Sequence, residues 1–368
     1  MIKQLNSLPL RKKVGQLFVI GIAGPDVDAA TLELLNDVSP GGICLFTRNI
    51  REAGQTRKLL DDLRRALPVV PFLSLDQEGG IVDRLRRILT PMPAANKIKK
   101  AEDASRLAKL IAESVRILGF NMNFAPVVDV VDYEREQTGN GLYSRAYGRS
   151  VEDVVELAGE FLNVLQDNGV IGCIKHFPGL GAAKVDSHEE LPSVRVAEEE
   201  FFGTDLMPYG KLLGMGKVHL LMAAHAAFPN VGLQEVDENG KLLPSSLSYN
   251  FISQLLRGEL GYDGLAITDD LEMGAIMKNY GMGSACVMAV NAGQDLLAIC
   301  AEPRNIRDGF EAVLSAVEKG AISEDRINSS LSRIAALKSQ LSEPLPFDTA
   351  RLAAISDEIT EFNTYLNR

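Results

Sequence analysis

The chain has 368 residues, of which 46% are hydrophobic and 24% are charged, and this composition is typical of a globular protein. Its formal net charge of −11 argues against a nucleic-acid partner, because phosphate backbones are bound by clustered lysine and arginine side chains. A small anionic ligand is compatible with this charge, since it needs only one local basic pocket.

The sequence also argues against a membrane partner and against secretion. No uncharged apolar run reaches the ~20 residues needed to span a bilayer, and the N-terminal segment lacks the apolar core and cleavage site of a signal peptide. The four cysteines, Cys44, Cys173, Cys286 and Cys300, lie far apart among apolar residues, without the spacing of a metal site or a disulfide framework. We therefore expect a cytoplasmic protein with reduced, buried thiols, and a monomer is favoured.

Eight short apolar segments predict strands that are buried on both faces of a parallel sheet. In chain order they are residues 15–22, 41–47, 71–76, 122–129, 171–177, 219–226, 264–270 and 295–300. Helical patterns separate them, and one of these helices is predicted to begin at the N-cap Ser150 and to end at Gly169. Eight strands alternating with helices predict an α/β fold, a single (β/α)8 TIM-type barrel with a short C-terminal helical extension.

The barrel domain is predicted to occupy residues 1–340. Residues 341–368 read as a loop and one terminal helix, which are too short to form a second domain. An open doubly wound sheet is the alternative fold. Such sheets usually have five to seven strands and a glycine-rich turn after the first strand, and the turn after the first predicted strand here lacks the full dinucleotide-binding pattern.

Polar residues collect at the C-terminal ends of the predicted strands, where barrel enzymes carry their chemistry. Each of these residues could instead have a purely structural role. An aspartate could cap a helix, a lysine could belong to a buried polar network, and a histidine could occupy a core position. Their common placement on one rim is what predicts an active site. The residues concerned are Asp76, Glu78, Asp129, Arg145, Lys175, His176, His225, Asp269 and Asp270.

Five motifs in this chain resemble glycoside hydrolase family 3, and within it the bacterial single-domain β-N-acetylglucosaminidases. The most specific is KHFPGLGAAKVDSH at residues 175–188. The others are SLDQEGGIVDRL, GFNMNFAPVVDV, SRAYG and GLAITDDLEMGAI, and the resemblance runs in order from about residue 12 to about residue 340. It implies a barrel enzyme without metal or cofactor that removes non-reducing terminal β-linked N-acetylglucosamine, in the bacterial recycling enzymes from cytoplasmic peptidoglycan fragments.

The resemblance also implies roles for individual residues. Asp269 matches the catalytic nucleophile, and His188 matches an unusual general acid/base with Asp186 as its partner. His225 is a further substrate-binding candidate because of its position near the end of the sixth predicted strand. The residues that match those holding the terminal sugar are Asp76, Arg84, Arg145, Lys175 and His176.

Retaining glycoside hydrolysis gives a reason for these residue types. A nucleophile must meet the sugar C1 accurately, which suits Asp269 at a rigid strand end. A histidine has an ordinary pKa of ~6.5, so His188 could donate and then accept a proton near neutrality, with Asp186 orienting its ring. The glycine-rich stretch 179–185 would let this pair swing over a bound sugar.

Two departures from the family pattern leave the exact substrate open: Leu180 stands where histidine is usual, and Ile81 where arginine is usual. Three other functions are alternatives. A metal-dependent barrel hydrolase is disfavoured because the first predicted strand has no histidine and the chain has only four. A non-catalytic sugar-binding barrel is disfavoured by the complete set of Asp186, His188 and Asp269. A phosphorylase is not separated from a hydrolase by sequence, since a histidine acid/base would not repel an incoming phosphate.

Overall fold

The computed structural model describes residues 1–137, 141–184 and 191–368. Within these ranges, eight parallel strands form a closed barrel in which each strand pairs with the next in the chain and the last pairs with the first. All eight predicted strands and the predicted (β/α)8 barrel are therefore confirmed. The strands are β1 (Phe18–Ile20), β2 (Gly42–Cys44), β3 (Phe72–Leu75), β4 (Met122–Asn123), β5 (Ile171–Phe177), β6 (Leu220–Ala223), β7 (Leu265–Asp270) and β8 (Leu296–Ile299).

The strands are buried on both faces, as their apolar sequences require. All seven residues of β5 are buried, including the polar Lys175 and His176 near its end. On the outer face, Phe18 of β1 packs edge-on against Phe310 of a surrounding helix, with ring centroids 5.8 Å apart. The barrel interior and the layer between strands and helices thus belong to one hydrophobic core.

The helices surround the barrel and follow local sequence signals. The Ser150 hydroxyl accepts a hydrogen bond from the Asp153 amide at 3.1 Å, which confirms the predicted N-cap. Gly169 follows the same helix with φ +79°, a backbone conformation that favours glycine. The α-helices of eight or more residues are Ala29–Val38, Ala53–Ala66, Ala101–Leu118, Val151–Asp167, Met207–Gly214, Met282–Ala292, Pro303–Glu318, Glu324–Lys338 and Thr349–Leu366.

Shorter elements fill the connections between these strands and helices. Two π-helical segments are Phe201–Asp205 and Asn250–Glu259. A small antiparallel pair, Gln77–Gly79 with Val82–Asp83, lies directly after β3. The short α-helices are Ile2–Asn6, Leu10–Gly15, Tyr133–Glu136, Glu198–Glu200 and Gly274–Met277, and the 3₁₀ turns are Ala95–Lys97, Tyr143–Arg145 and Ser245–Leu247.

The C-terminal helix Thr349–Leu366 packs onto the barrel. Its apolar side chains, among them Ile355, Ile359 and Phe362, are fully buried in the common core. The Asn363 side-chain amide also donates a hydrogen bond to the Pro91 carbonyl at 2.9 Å. This confirms a terminal helix where the sequence predicts one. In the part of the chain that the structure describes, no helix combines the length and apolar character needed to cross a membrane.

Candidate active site

A cavity of about 200 Å³ opens at the C-terminal ends of the barrel strands, where the polar residues were predicted to collect. Its wall also contains apolar residues such as Phe46, Phe124 and Met222. Polar groups converging in a partly apolar cavity are typical of a small-molecule site. The residues singled out from the sequence that line it are Asp76, Arg84, Arg145, Lys175, His176, Asp269 and Asp270.

Lys175 lies at the centre of a buried charge network. Its Nζ is 2.9 Å from Asp76 Oδ1 and 2.7 Å from Glu78 Oε1. Arg145 binds both oxygens of Glu78 through its Nε and Nη2, each at 2.9 Å. This network holds the Lys175 and Arg145 side chains in fixed positions against the cavity.

From the sequence, Glu78 is a strand-end carboxylate and, with Glu189, the alternative to His188 as general acid/base. In the structure it is the anion that supports Lys175 and Arg145. Burial opposes its ionisation, but the positive charges of Lys175 and Arg145 hold its pKa well below the ordinary range. A carboxylate in this state is a poor proton donor near neutrality. Glu78 is therefore unsuited to the role of general acid.

His176 is held by Asp129, the fully buried residue at which the fourth predicted strand ends. The His176 Nδ1 lies 2.7 Å from Asp129 Oδ2, and the other carboxylate oxygen accepts the Leu180 amide at 2.7 Å. Because a carboxylate accepts, Nδ1 carries the hydrogen, and Nε2 is left to face the Arg145 Nη2 at 3.4 Å. Asp129 thus orients the ring and anchors the start of the following loop.

The two aspartates that end β7 have different surroundings. Asp269 lines the cavity, and its Oδ1 accepts the Asp270 amide at 2.8 Å. Burial opposes ionisation of Asp269, yet His176, His225, the Asp270 amide and Lys175 lower its pKa below the ordinary value. Asp269 is therefore a carboxylate near neutrality, as a nucleophile must be.

The Asp270 carboxyl group is used for local structure. It accepts the amides of Glu272 at 3.0 Å and Cys300 at 3.3 Å, which joins the turn after β7 to the end of β8. Burial, together with the negative charges of Glu272 and Asp269, raises its pKa to about 7. Either aspartate could have served as a cap on sequence grounds, and Asp270 is the one that caps the following turn.

His225 lies behind the end of β7. Its Nε2 is 3.1 Å from the Asp270 carbonyl oxygen, and its Nδ1 is 2.6 Å from the Ser246 hydroxyl. A carbonyl only accepts, so Nε2 carries the hydrogen and Nδ1 accepts from Ser246. This arrangement supports the backbone that carries Asp269, and direct contact of His225 with substrate stays a prediction.

Arg84 reaches the cavity from the loop after β3. Its Nη2 lies 3.7 Å from Asp76 Oδ2, and its guanidinium carbon lies 5.6 Å from the centre of the Phe46 ring. Within the described ranges its buried Nε has no hydrogen-bond partner. A donor left without a partner beside a cavity is suited to a ligand oxygen.

The predicted acid/base pair, Asp186 and His188, lies outside the described residues. The loop does reach the cavity before that point, since Leu180 and Ala183 both line it. Of the two departures from the family pattern, Leu180 is buried in the cavity wall. Ile81 is 61% exposed, in the turn between the two short antiparallel strands.

Comparison with known proteins agrees with this geometry. The model of the "Glycosyl hydrolase family 3 N terminal domain" matches residues 9–337. A "Beta-hexosaminidase" of Pseudomonas aeruginosa (strain UCBPP-PA14) is 33% identical over 305 residues, which cover 82% of this chain and 86% of that protein. The "Beta-hexosaminidase A" of Pseudoalteromonas piscicida is 31% identical over 344 residues, covering 87% of this chain and 56% of that protein.

Solved structures of family 3 enzymes are also similar to this chain. A glycoside hydrolase family 3 β-N-acetylglucosaminidase from Paenibacillus sp. str. FPU-7 superposes with a TM-score of 0.86 and 38% identity, covering 97% of this chain and 69% of that one. A family 3 glycosyl hydrolase from Mycobacterium smegmatis gives a TM-score of 0.80 and 31% identity, covering 92% of this chain and 99% of that one. The chain therefore belongs to glycoside hydrolase family 3.

Proposed function

We propose that the protein is a retaining exo-glycosidase that removes non-reducing terminal β-linked N-acetylglucosamine. The observation that carries this proposal is the ionised Asp269 at a strand end, facing a small cavity that also holds Lys175, Arg145 and Asp76. Relatives with the name β-hexosaminidase support the choice of sugar. A cavity of about 200 Å³ suits one terminal sugar better than a polysaccharide chain.

The sugar is held by groups that the protein has already fixed in position. Lys175 and Arg145 are ordered by Glu78, and His176 by Asp129, so little side-chain freedom is lost when hydroxyl groups bind. Asp76 has one oxygen on Lys175 and can accept from sugar hydroxyls with its other lone pairs. This preorganisation places C1 against Asp269.

The reaction then follows the two-step course of retaining glycosidases. Asp269 attacks C1 while His188 protonates the departing oxygen, and a covalent glycosyl-enzyme forms. His188 next takes a proton from water, which attacks C1 and releases Asp269. Asp186 would hold the imidazole ring in both steps and stabilise its charged form.

We further propose peptidoglycan-derived fragments as the natural substrate and the cytoplasm as the compartment. The resemblance to the bacterial recycling enzymes supports the substrate. Cys44, Cys173, Cys286 and Cys300 are free and buried, which is in keeping with a reducing compartment.

Proton NMR of a 4-nitrophenyl β-N-acetylglucosaminide reaction tests this function. The first product is expected to be β-N-acetylglucosamine, before mutarotation, and the matched β-glucoside should react poorly. A first product of α configuration would overturn the assignment of Asp269 as nucleophile. The same reaction run with inorganic phosphate distinguishes the phosphorylase, which would form N-acetylglucosamine 1-phosphate instead of the free sugar.

A further inference from the structure

The start of the loop after β5 lies against a buried ion pair that the proposed mechanism does not use. Arg135 donates two parallel hydrogen bonds to Asp205, from Nη1 to Oδ1 at 2.8 Å and from Nη2 to Oδ2 at 2.9 Å. The two residues are only 5% and 1% exposed. An arginine and a carboxylate in this bidentate arrangement hold each other in one relative orientation. The pair therefore presents a rigid surface to the loop.

Two glycines of the loop pack directly on this surface. Gly179 has φ +132°, and a Cβ atom added to it would lie 2.7 Å from the Asp205 Cβ. A Cβ atom on Gly181 would lie 2.1 Å from the Val130 carbonyl oxygen and 3.2 Å from Arg135 Nη1. Only a residue without a side chain lets the backbone approach so closely. The ion pair and its neighbours thus set the path of the chain between the two glycines.

Arg135 also holds the segment that follows β4. Its Nη1 donates a further hydrogen bond, at 3.1 Å, to the carbonyl oxygen of Val130, which directly follows Asp129 in the chain. The Asp129 carboxylate accepts hydrogen bonds from the Leu180 amide and from His176 Nδ1, each at 2.7 Å. One guanidinium group therefore supports both the residue that orients His176 and the loop segment that contains Leu180.

His176 and Leu180 both line the sugar cavity. If the loop moved away from the ion pair, Leu180 would shift in the cavity wall and Asp129 would lose one of its hydrogen bonds. The His176 ring would then be held less firmly. A displacement of about 1 Å in groups that place a substrate can reduce the rate ~10²-fold. The geometry of the buried pair is thus linked to the shape of the cavity.

We propose that Arg135 and Asp205 are positioning residues, which fix the orientation of the His176 ring and the place of Leu180 in the cavity wall. Neither side chain belongs to the part of the cavity wall that the structure describes. Their effect passes through Asp129 and the loop backbone. The effect on glycoside turnover rests on the proposed function, whereas the effect on His176 and Leu180 does not.

Two substitutions disturb the pair in different ways. Asp205→Asn keeps the shape of the side chain but removes its charge. Arg135→Lys keeps the buried positive charge, so it is expected to fold even if Asp205→Asn does not, but an ammonium group lacks the planar fork of arginine. A pair needed only for its charges would tolerate lysine here, whereas a positioning role requires the guanidinium group.

NMR of the histidine rings and of amide hydrogen exchange tests the proposal without any substrate. The chain has only four histidines, so its ring signals are few. In both variants the His176 Nδ1 proton should lose the low-field shift of a proton bonded to a carboxylate. The Leu180 amide should exchange with solvent at least ~10-fold faster than in the wild type, because the loop opens more readily.

Steady-state kinetics on an aryl N-acetylglucosaminide give the functional measurement. In both variants kcat/KM should fall ~10–100-fold, mainly through a higher KM. The reason is that groups lining the cavity are displaced, while Asp269 stays in place at the end of β7. An unchanged KM with a lower kcat would contradict a role in positioning the groups that hold the sugar.

Asp295→Asn is the matched control. Asp295 is fully buried and its Oδ2 accepts a hydrogen bond from Arg257 Nη2 at 2.6 Å, but it directly precedes β8, at the end of the barrel opposite the cavity. This variant should lose stability while KM, the His176 signal and the Leu180 exchange rate stay as in the wild type.

Wild-type values of these three quantities in folded Arg135→Lys would overturn the proposal, and so would equal changes in Arg135→Lys and in Asp295→Asn. If the wild type hydrolyses no glycoside, the proposed function fails. The His176 ring signal and the Leu180 exchange rate then still decide whether Arg135 and Asp205 position the cavity wall.

Discussion

Asp269 and Asp270 are neighbours on β7, yet their carboxyl groups have opposite shifts in pKa. The pKa of Asp269 is lowered, whereas that of Asp270 is raised to about 7. The Asp269 carboxyl group meets the positive charges of the cavity, whereas the Asp270 carboxyl group, which also borders the cavity, accepts the amides of Glu272 and Cys300. When two neighbouring carboxyl groups have pKa values shifted in opposite directions, the one that is ionised near neutrality can act as the nucleophile. Here that group is Asp269.

The first prediction compares the two aspartates by amide substitution. Asp269→Asn should lower kcat/KM by ~10⁴-fold or more, because no glycosyl-enzyme can form. Asp270→Asn should stay within about tenfold of the wild type near pH 6, because an amide resembles the protonated carboxyl group. Initial rates on an aryl N-acetylglucosaminide measure both effects. The reverse order of the two losses would assign the nucleophile to Asp270.

The second prediction concerns stability and pH. The folded pKa of Asp270 is about 7, against an ordinary value of 3.8, so the folded chain binds more protons than the unfolded chain between these values. Stability contributed by Asp270 is therefore greatest below pH 4 and is lost as the pH rises through about 7. Between pH 5 and pH 8 the free energy of unfolding of the wild type should fall by about 2 kcal/mol relative to Asp270→Asn.

Urea unfolding of both proteins at the two pH values measures this difference. Glu272→Gln is a useful companion, since it removes a negative charge that contributes to the shift but leaves the Asp270 carboxyl group in place. The free energy of unfolding of Glu272→Gln should vary with pH less than that of the wild type and more than that of Asp270→Asn. If the free energy of unfolding changed equally with pH in the wild type and in Asp270→Asn, Asp270 would have an ordinary pKa in the folded protein and the prediction would be wrong.

The third prediction concerns Lys338, which is buried away from the cavity. Its Nζ donates to Gln16 Oε1 at 3.0 Å and lies 5.2 Å from the centre of the Phe72 ring. Burial lowers its pKa from 10.5 to about 7. The unfolded chain thus binds more protons between these values, so the cost of burying Lys338 is complete below pH 7 and vanishes as the pH approaches 10.5.

Lys338→Met should therefore stabilise the protein by about 1–3 kcal/mol below pH 7, after allowance for the lost contacts with Gln16 and Phe72. The gain should shrink between pH 7 and pH 10. Thermal unfolding across this range measures it, and the exposed Lys3→Met serves as control because it should change stability little at any pH. A loss of stability at pH 6 would mean that the contacts outweigh the cost of burial.

The fourth prediction separates acid/base catalysis from nucleophilic attack. His188→Ala should lose ~10²–10⁴-fold on a natural disaccharide, whose leaving group needs a proton. A nitrophenolate leaves without one, so the first step on an aryl glycoside should stay fast and the glycosyl-enzyme should accumulate. Azide should then speed its release and yield a β-glycosyl azide.

A stopped-flow burst and product analysis measure these effects. Asp186→Asn should show a milder form of the same behaviour, because the ring is held but its charge is not balanced. Equal losses on good and poor leaving groups, without a burst and without an azide effect, would contradict the role of His188. Glu189 would then be the next candidate, since Glu78 is held as a carboxylate by Lys175 and Arg145.

The order and type of the barrel strands could be predicted from sequence because each is a local apolar run. The lengths of the strands were harder to predict from sequence. The fourth strand was predicted over residues 122–129, but β4 covers only Met122–Asn123. Pro126 lacks an amide hydrogen and cannot donate to the ladder, which is a local reason for the early end.

The site residues at strand ends could be predicted for a similar reason, since a parallel barrel brings all such ends to one rim. The supporting contacts could not, because they join residues distant in the chain. Glu78 meets Lys175 across nearly a hundred residues, and Asp129 meets His176 across 47. Neither partnership leaves a local pattern in the sequence.

The pairing of β8 with β1 has a consequence for how the protein is made. The first strand leaves the ribosome early, but its partner ends at Ile299. At ~5–20 residues per second, one edge of β1 waits tens of seconds for that partner during translation. An unpaired apolar strand edge is a site of aggregation, so the nascent chain is expected to depend on chaperones during this interval.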